Sequence, residues 1–235
     1  MTVDTASIHW LDIEFPPALP SRAGAFLSLA EQQRFASFRF PKRRDEWLLG
    51  RYAAKLLVRG LPEFSSLPYS GIEIQNDAQG APFLRLTNDG TLPGCLSISH
   101  SSGRAFCALT LHPSLRLGAD LELLEPRPES FRRDYFTPGE QALAAAQPEA
   151  STLIWSLKEA MLKALGVGLR VDTRKVEVQD FAGGADGDWQ AARVGEPGTK
   201  NRPWHAWWQR RGDFVLSVAA FATGDWDAAL VEQRG

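Results

Sequence analysis

Apolar side chains recur at three- and four-residue spacing in two stretches of this chain, and alternate with polar ones in several others. Trp47, Leu48, Tyr52, Leu56 and Leu57 share one broad face, which predicts a helix over about 43–58, stopped by Gly60-Leu-Pro62. Ile154, Leu157, Met161 and Ala164 form a second stripe, and Gly166 sits where that helix would stop. A third helix is predicted over 22–35. A fourth starts at Thr137-Pro-Gly-Glu140, with Thr as N-cap, Pro in the first turn and Glu three residues on, and runs to Ala146. Alternation predicts strands near 8–13, 72–75, 83–86, 96–99, 106–111, 117–123, 175–179, 204–209 and 214–221, the last two joined by a turn at Arg211-Gly212-Asp213. Residues 183–201 carry Gly, Asp and Pro and read as a loop. The order implies an α+β protein of two halves, 1–112 and 113–235, divided at His112-Pro113-Ser114.

Three clusters on these elements carry candidate chemistry. In Gly118-Ala-Asp120-Leu-Glu122, a period of two puts both carboxylates on one side of the sheet. On the helix beyond, Glu159 and Lys163 are four apart and stack one turn above the other, away from the apolar stripe. Three such carboxylates suit a hard divalent cation; without one, two carboxylates about 5 Å apart repel by roughly 3 kcal/mol at an effective dielectric near 20. The alternative is that Asp120 and Glu122 face water while Glu159 and Lys163 brace a solvated helix. Third, Leu96-Ser-Ile-Ser-His100-Ser-Ser-Gly103 reads as a strand entering a Ser/Gly loop, with His100 at its end. That histidine is either a surface residue or an anion contact; a serine hydrolase is disfavoured because Gly-x-Ser-x-Gly is absent from the chain.

Charge and cysteine usage narrow the class. The formal net charge of −2 gives no general nucleic-acid binder, so contact with phosphates has to be local. Lys42-Arg43-Arg44 is either such a contact or a solvated helix start. Cys95 and Cys107 have no zinc-type spacing, and Cys107 lies in an apolar run, as a buried reduced thiol does. The chain has neither a basic-then-apolar leader nor eighteen consecutive apolar residues, so the expectation is a cytoplasmic protein without membrane association. Trp204 and Trp208 alternate with Trp207, which predicts packing rather than base stacking.

Gly118-x-Asp120-x-Glu122, followed some thirty residues later by Trp155-x-x-Lys158-Glu159-Ala160-x-x-Lys163, resembles the paired signature of the 4′-phosphopantetheinyl transferase superfamily. Ile98-Ser-His100-Ser101, Arg43-Arg44, Gly50-Arg51 and Gly80-Ala-Pro82 extend the resemblance to its larger, single-chain, surfactin-synthetase-activating type. The resemblance implies a pseudo-dimer of two similar α+β halves with coenzyme A in the cleft between them. It implies Mg²⁺, or Mn²⁺ in its place, on Asp120, Glu122 and Glu159. Glu159, directly or through a metal-bound water, would take the proton from the serine hydroxyl of an apo acyl or peptidyl carrier protein, and Lys163 would stabilise or protonate the departing 3′,5′-ADP. Lys158 and Lys163 would bind phosphate; His100 and Arg51 would contact the 3′-phosphate, with Ser99, Ser101, Arg43 and Arg44 around the nucleotide. Three positions depart from the common pattern: Ala81 where many members carry Lys, Ser97 where Asn is frequent, and Glu31 where some carry a basic residue, with Arg34 nearby.

Carrier proteins are usually acidic, so Arg127, Arg132 and Arg133 beside Phe136 are expected to dock the partner, with a solvated helix flank as the alternative. A monomer is expected. The competing function classes are a non-catalytic coenzyme A-binding regulator, disfavoured because all three carboxylates and Lys163 are present, and a metal-dependent phosphohydrolase, disfavoured by the lack of a further His or Asp cluster.

Overall fold

The computed structural model describes residues 4–87, 90–147, 149–198, 202–222 and 226–233. It forms two compact units, Ala6–Pro113 with Ala229–Gly235 and Ser114–Ala228 with Met1–Thr5. Both are mixtures of helix and antiparallel sheet, as the α+β reading requires.

In the first unit, β1 (Asp4–Glu14), β5 (Cys95–Ser101) and β6 (Arg104–Thr110) make a sheet whose edge is completed by the last strand, β12 (Trp226–Glu232), in the order β12-β1-β6-β5. A smaller sheet holds β2 (Ile72–Asn76), β3 (Pro82–Leu86) and β4 (Gly90–Thr91). Helix α3 (Pro41–Arg59) lies on β5 and β6, burying Leu48, Leu49, Ala53, Ala54, Leu57 and Val58. The helix predicted over 22–35 is two helices, α1 (Ala23–Phe26) and α2 (Leu29–Ala36). Ser28, extended at ψ 165°, separates them and starts α2 with a capping box to Glu31.

In the second unit, β7 (Arg116–Leu123), β8 (Glu177–Phe181), β9 (Gln190–Gly195), β10 (Trp204–Arg211) and β11 (Phe214–Phe221) form one sheet in the order β7-β11-β10-β9-β8. Two short helices, α4 (Glu129–Tyr135) and α5 (Pro138–Ala146), lead to the long α6 (Ala150–Ala164), which packs on β7 and β11. Its apolar face buries Ile154, Leu157, Met161 and Ala164, and Gly166 beyond it is left-handed at φ +70°, where a glycine ends a helix without strain. Strand β9 lies inside the segment read as loop, because Ala191, Ala192 and Val194 fall between turn residues that hide their alternation. Trp204 and Trp208 pack against this unit's core, as their spacing predicts. No helix among the described residues is long and apolar enough to cross a membrane.

Candidate active site

Gly118 decides how β7 and α6 meet. A Cβ there would lie 1.9 Å from Ala160 O and 2.6 Å from Ala164 N, so only glycine lets the helix backbone come this close to the strand. Asp120 shares that face by alternation and meets the helix one turn on: Lys163 Nζ donates to Asp120 Oδ1 at 2.8 Å and to Ala119 O at 3.0 Å. Glu122 follows at the strand end, where it accepts from Trp155 Nε1 at 3.1 Å and from the Arg127 guanidinium at 2.8 Å. Arg127 in turn lies over the Phe131 ring, and Phe131 and Tyr135 meet Trp155 edge-on. The alternative of a solvated sheet face is thereby excluded: Asp120 is buried and α6 covers it.

The electrostatics of this corner are unfavourable by themselves. Burial, with the charges of Asp120 and Glu122 added to it, pushes the Glu159 carboxyl up to about 7 against the opposing Lys163. Burial and Asp120 likewise raise Glu122, against Arg127 and Trp155. Mutual repulsion among three acids is what a cation relieves, and the all-oxygen donor set suits a hard one. Ser217, directly opposite Asp120 on β11, adds a buried hydroxyl with no partner among the described residues. No three His, Cys, Asp or Glu side chains among the described residues already converge as a cage; Lys163 and Arg127 bond two of the acids instead. The residues fit a divalent cation in donor chemistry and charge.

In the first unit a basic hollow of about 640 Å³ is lined by Arg34, Phe38, Phe40, Lys42, Arg43, Glu46, Trp47 and His100. A smaller one beside it, about 230 Å³, holds Arg51, Asn76, Gly80 and Pro82 and shares Trp47 and His100. Arg51 is nearly buried, donates to Asn76 Oδ1 at 2.6 Å and lies 4.9 Å from the centre of the Trp47 ring. Both hollows suit a phosphorylated aromatic ligand, through cations beside the half-buried Trp47 ring. Trp47 was legible only as core, and the Trp47–Arg51 spacing of four was the signal that it stacks on a cation. Asn76 carried no signal.

A family model described as ACPS, the 4′-phosphopantetheinyl transferase superfamily, matches residues 116–219, the segment that supplies the acids, α6 and its sheet. The 4′-phosphopantetheinyl transferase HetI of Nostoc sp. is 28% identical over 180 residues, covering 72% of this chain and 73% of HetI. Over residues 116–219 the chain is similar to the 4′-phosphopantetheinyl transferase superfamily. The human L-aminoadipate-semialdehyde dehydrogenase-phosphopantetheinyl transferase is 27% identical over 178 residues, 68% of this chain; the match spans little more than half of that relative, 56%. A holo-(acyl-carrier-protein) synthase from Bacillus anthracis, solved in complex with CoA (3′,5′-ADP), superposes on 44% of this chain and 92% of its own at 25% identity, with a TM-score of 0.39.

Several residues carried over by resemblance lie elsewhere than expected. Lys158 is wholly buried, its ammonium spent on Glu140 and on Val176 O, so it presents nothing to a phosphate. Phe136 is 1% exposed and packs in the core, so it cannot anchor a partner. Exposed Tyr135 is the neighbouring aromatic that can. Arg127 is tied to Glu122, whereas Arg133 is exposed and Arg132 partly so on the last turn of α4. Arg44 bonds Asp45 and lies over Phe35, outside the residues lining either hollow, whereas Arg43 lines the larger. Strand β5 continues through Ser101, so Ser99 and Ser101 point to the opposite face from His100. Glu31, at a position where a basic residue occurs in some members, is buried as a helix cap; Arg34 lines the hollow.

Proposed function

We propose that this chain transfers the 4′-phosphopantetheine arm of coenzyme A to a serine hydroxyl of an apo acyl or peptidyl carrier protein, releasing 3′,5′-ADP. The reading rests on the superfamily match over residues 116–219 and, above all, on Lys163 bonded to Asp120 and Glu159 beside it, which the Gly118 contact allows. Asp120, Glu122 and Glu159 would hold Mg²⁺, or Mn²⁺ in its place. When bound, the cation neutralises charge on the phosphate oxygens and lowers the cost of attack on a dianionic diester.

Glu159 accepts the serine proton as the serine oxygen bonds the β-phosphorus. The bond from that phosphorus to the bridging oxygen breaks, and the electron pair leaves with 3′,5′-ADP. Lys163 uses two of its three donors on Asp120 and Ala119, which leaves one for the departing oxygen. His100, Arg51 and Arg43 are proposed to hold the nucleotide phosphates and Trp47 the adenine face; Arg132, Arg133 and Tyr135 would meet an acidic carrier. Action as a single-chain monomer of the larger type, in a reducing cytoplasm, completes the proposal.

Asp120→Ala tests the reading. Transfer should fall at least about 100-fold while thermal melting shows a folded protein. Full activity would remove Asp120 from the site, and coenzyme A binding without transfer by the parent protein would favour a binding regulator.

A further inference from the structure

The same buried arrangement occurs once in each unit. In the first, Leu27-Ser28-Leu-Ala-Glu31-Gln32 opens α2: Glu31 Oε2 accepts from Ser28 N at 2.9 Å and from Lys55 Nζ at 2.5 Å, and Oε1 accepts from Ile74 N of β2 at 3.1 Å. In the second, Phe136-Thr137-Pro-Gly-Glu140-Gln141 opens α5: Glu140 Oε2 accepts from Thr137 N at 2.8 Å and from Lys158 Nζ at 2.6 Å, and Oε1 accepts from Val178 N of β8 at 2.8 Å. Lys55 spends its remaining donors on the backbone carbonyls Phe26 O and Tyr69 O; Lys158 spends one on Val176 O and the other on Glu140 Oε1 at 2.9 Å. Even the following glutamine repeats, Gln32 donating to Leu27 O and Gln141 to Phe136 O. Both lysines are wholly buried, and both sit on the long helix of their unit.

The repetition separates two readings of Lys158. Lys55 is enclosed in the core of the unit that does not hold Asp120, Glu122 and Glu159, so what the pair does in the first unit is join a long helix to a helix start and a strand. A lysine doing the same thing with the same partners in the second unit needs no ligand to explain it. We propose that Lys158 is a positioning residue: with Glu140 it fixes α6 to the start of α5 and to β8, which sets the rotation that presents Glu159 and Lys163 at β7, and it binds no phosphate of coenzyme A. Two ions enclosed without water are held firmly only while both are present; one left alone is a buried, uncompensated charge.

The effect on turnover rests on the proposed transferase reading; the effect on melting does not. Lys158→Met should lower Tm by roughly 10 °C, and Lys55→Met by a similar amount. Glu140→Gln removes the charge and keeps one acceptor oxygen, for Thr137 N or Val178 N but not both, so Glu140→Gln/Lys158→Met should recover part of the loss. Well below Tm, kcat of folded Lys158→Met should fall roughly tenfold or more with KM for coenzyme A within about twofold, and Glu140→Gln/Lys158→Met should regain most of kcat. A structural role alone would leave kcat of the folded fraction unchanged. The proposal is overturned if KM or Kd for coenzyme A rises tenfold or more in the double variant, or if Lys158→Met melts and turns over as the parent does. Should Lys158→Met fail to fold, the double variant still decides through its Tm and its Kd for coenzyme A. If the parent protein binds no coenzyme A, the transferase reading fails and the melting cycle alone judges whether Lys158 and Glu140 act as a pair.

Discussion

Gly118 of β7 and Ala160 of α6 approach so closely that a methyl group on the former would sit 1.9 Å from the carbonyl oxygen of the latter. The atom that is missing from Gly118 is what brings Lys163 to 2.8 Å from Asp120 two residues along the strand. Gly118→Ala should therefore push α6 off β7. The expected cost is about 3 kcal/mol or more, since the obstacle is backbone and not a side chain that can turn aside. Urea denaturation measures it, and kcat should fall with stability because Glu159 and Lys163 move together.

Stability without divalent cations should depend on pH through Glu159. Its carboxyl is raised on folding from 4.5 to about 7, by burial first and then by Asp120. The folded state thus binds the proton more tightly than the unfolded chain, and the carboxylate form opposes folding. Stability is highest below the unfolded value and falls as pH climbs through about 7, by at most about 3 kcal/mol and less for a half-buried group. Glu159→Gln should flatten the profile and leave the variant more stable than its parent in EDTA at about pH 8. A parent protein equally stable at about pH 5 and pH 8 would show that the acids do not repel as described.

Lys163→Met removes one ammonium from a partly exposed position while leaving the packing of α6 intact. It should lower kcat by roughly 100-fold with KM for the carrier little changed, as expected of a group that acts on the leaving oxygen in the transition state. Steady-state kinetics check this, and a loss confined to KM would assign Lys163 to ground-state binding.

Reversing Arg132 and Arg133 to Glu should raise KM for an acidic carrier protein by about tenfold and weaken its salt dependence, while KM for coenzyme A stays put. An unchanged carrier KM would discard the docking face on α4.

The helices and strands that place the site were legible because each depends on near neighbours in sequence. The stripe through Ile154, Leu157 and Met161 and the alternation through Asp120 and Glu122 are properties of a few turns or a few residues, and both elements formed where predicted. Ser28 broke the predicted helix over 22–35 with the same capping box that was read correctly at Thr137; only the neighbouring apolar residues Phe26 and Leu27 concealed it. Lys158 was legible only in part: four residues after Ile154 and three before Met161, it lies beside the apolar stripe, on the far side of the helix from Lys163. Its partner Glu140, 18 residues away on another helix, gave no local signal. Phe136 failed likewise: it stands near arginines and looked like surface, but it packs into the core of its unit just before the N-cap of α5.

The central claim is transfer of a phosphopantetheine arm, and intact-protein mass spectrometry tests it most directly. A purified apo carrier protein is incubated with this protein, coenzyme A and Mg²⁺, with and without EDTA. The account predicts a mass gain equal to one phosphopantetheine arm, lost in EDTA and lost with Glu159→Gln. No gain on several acyl and peptidyl carriers, from a protein that still binds coenzyme A, would contradict it.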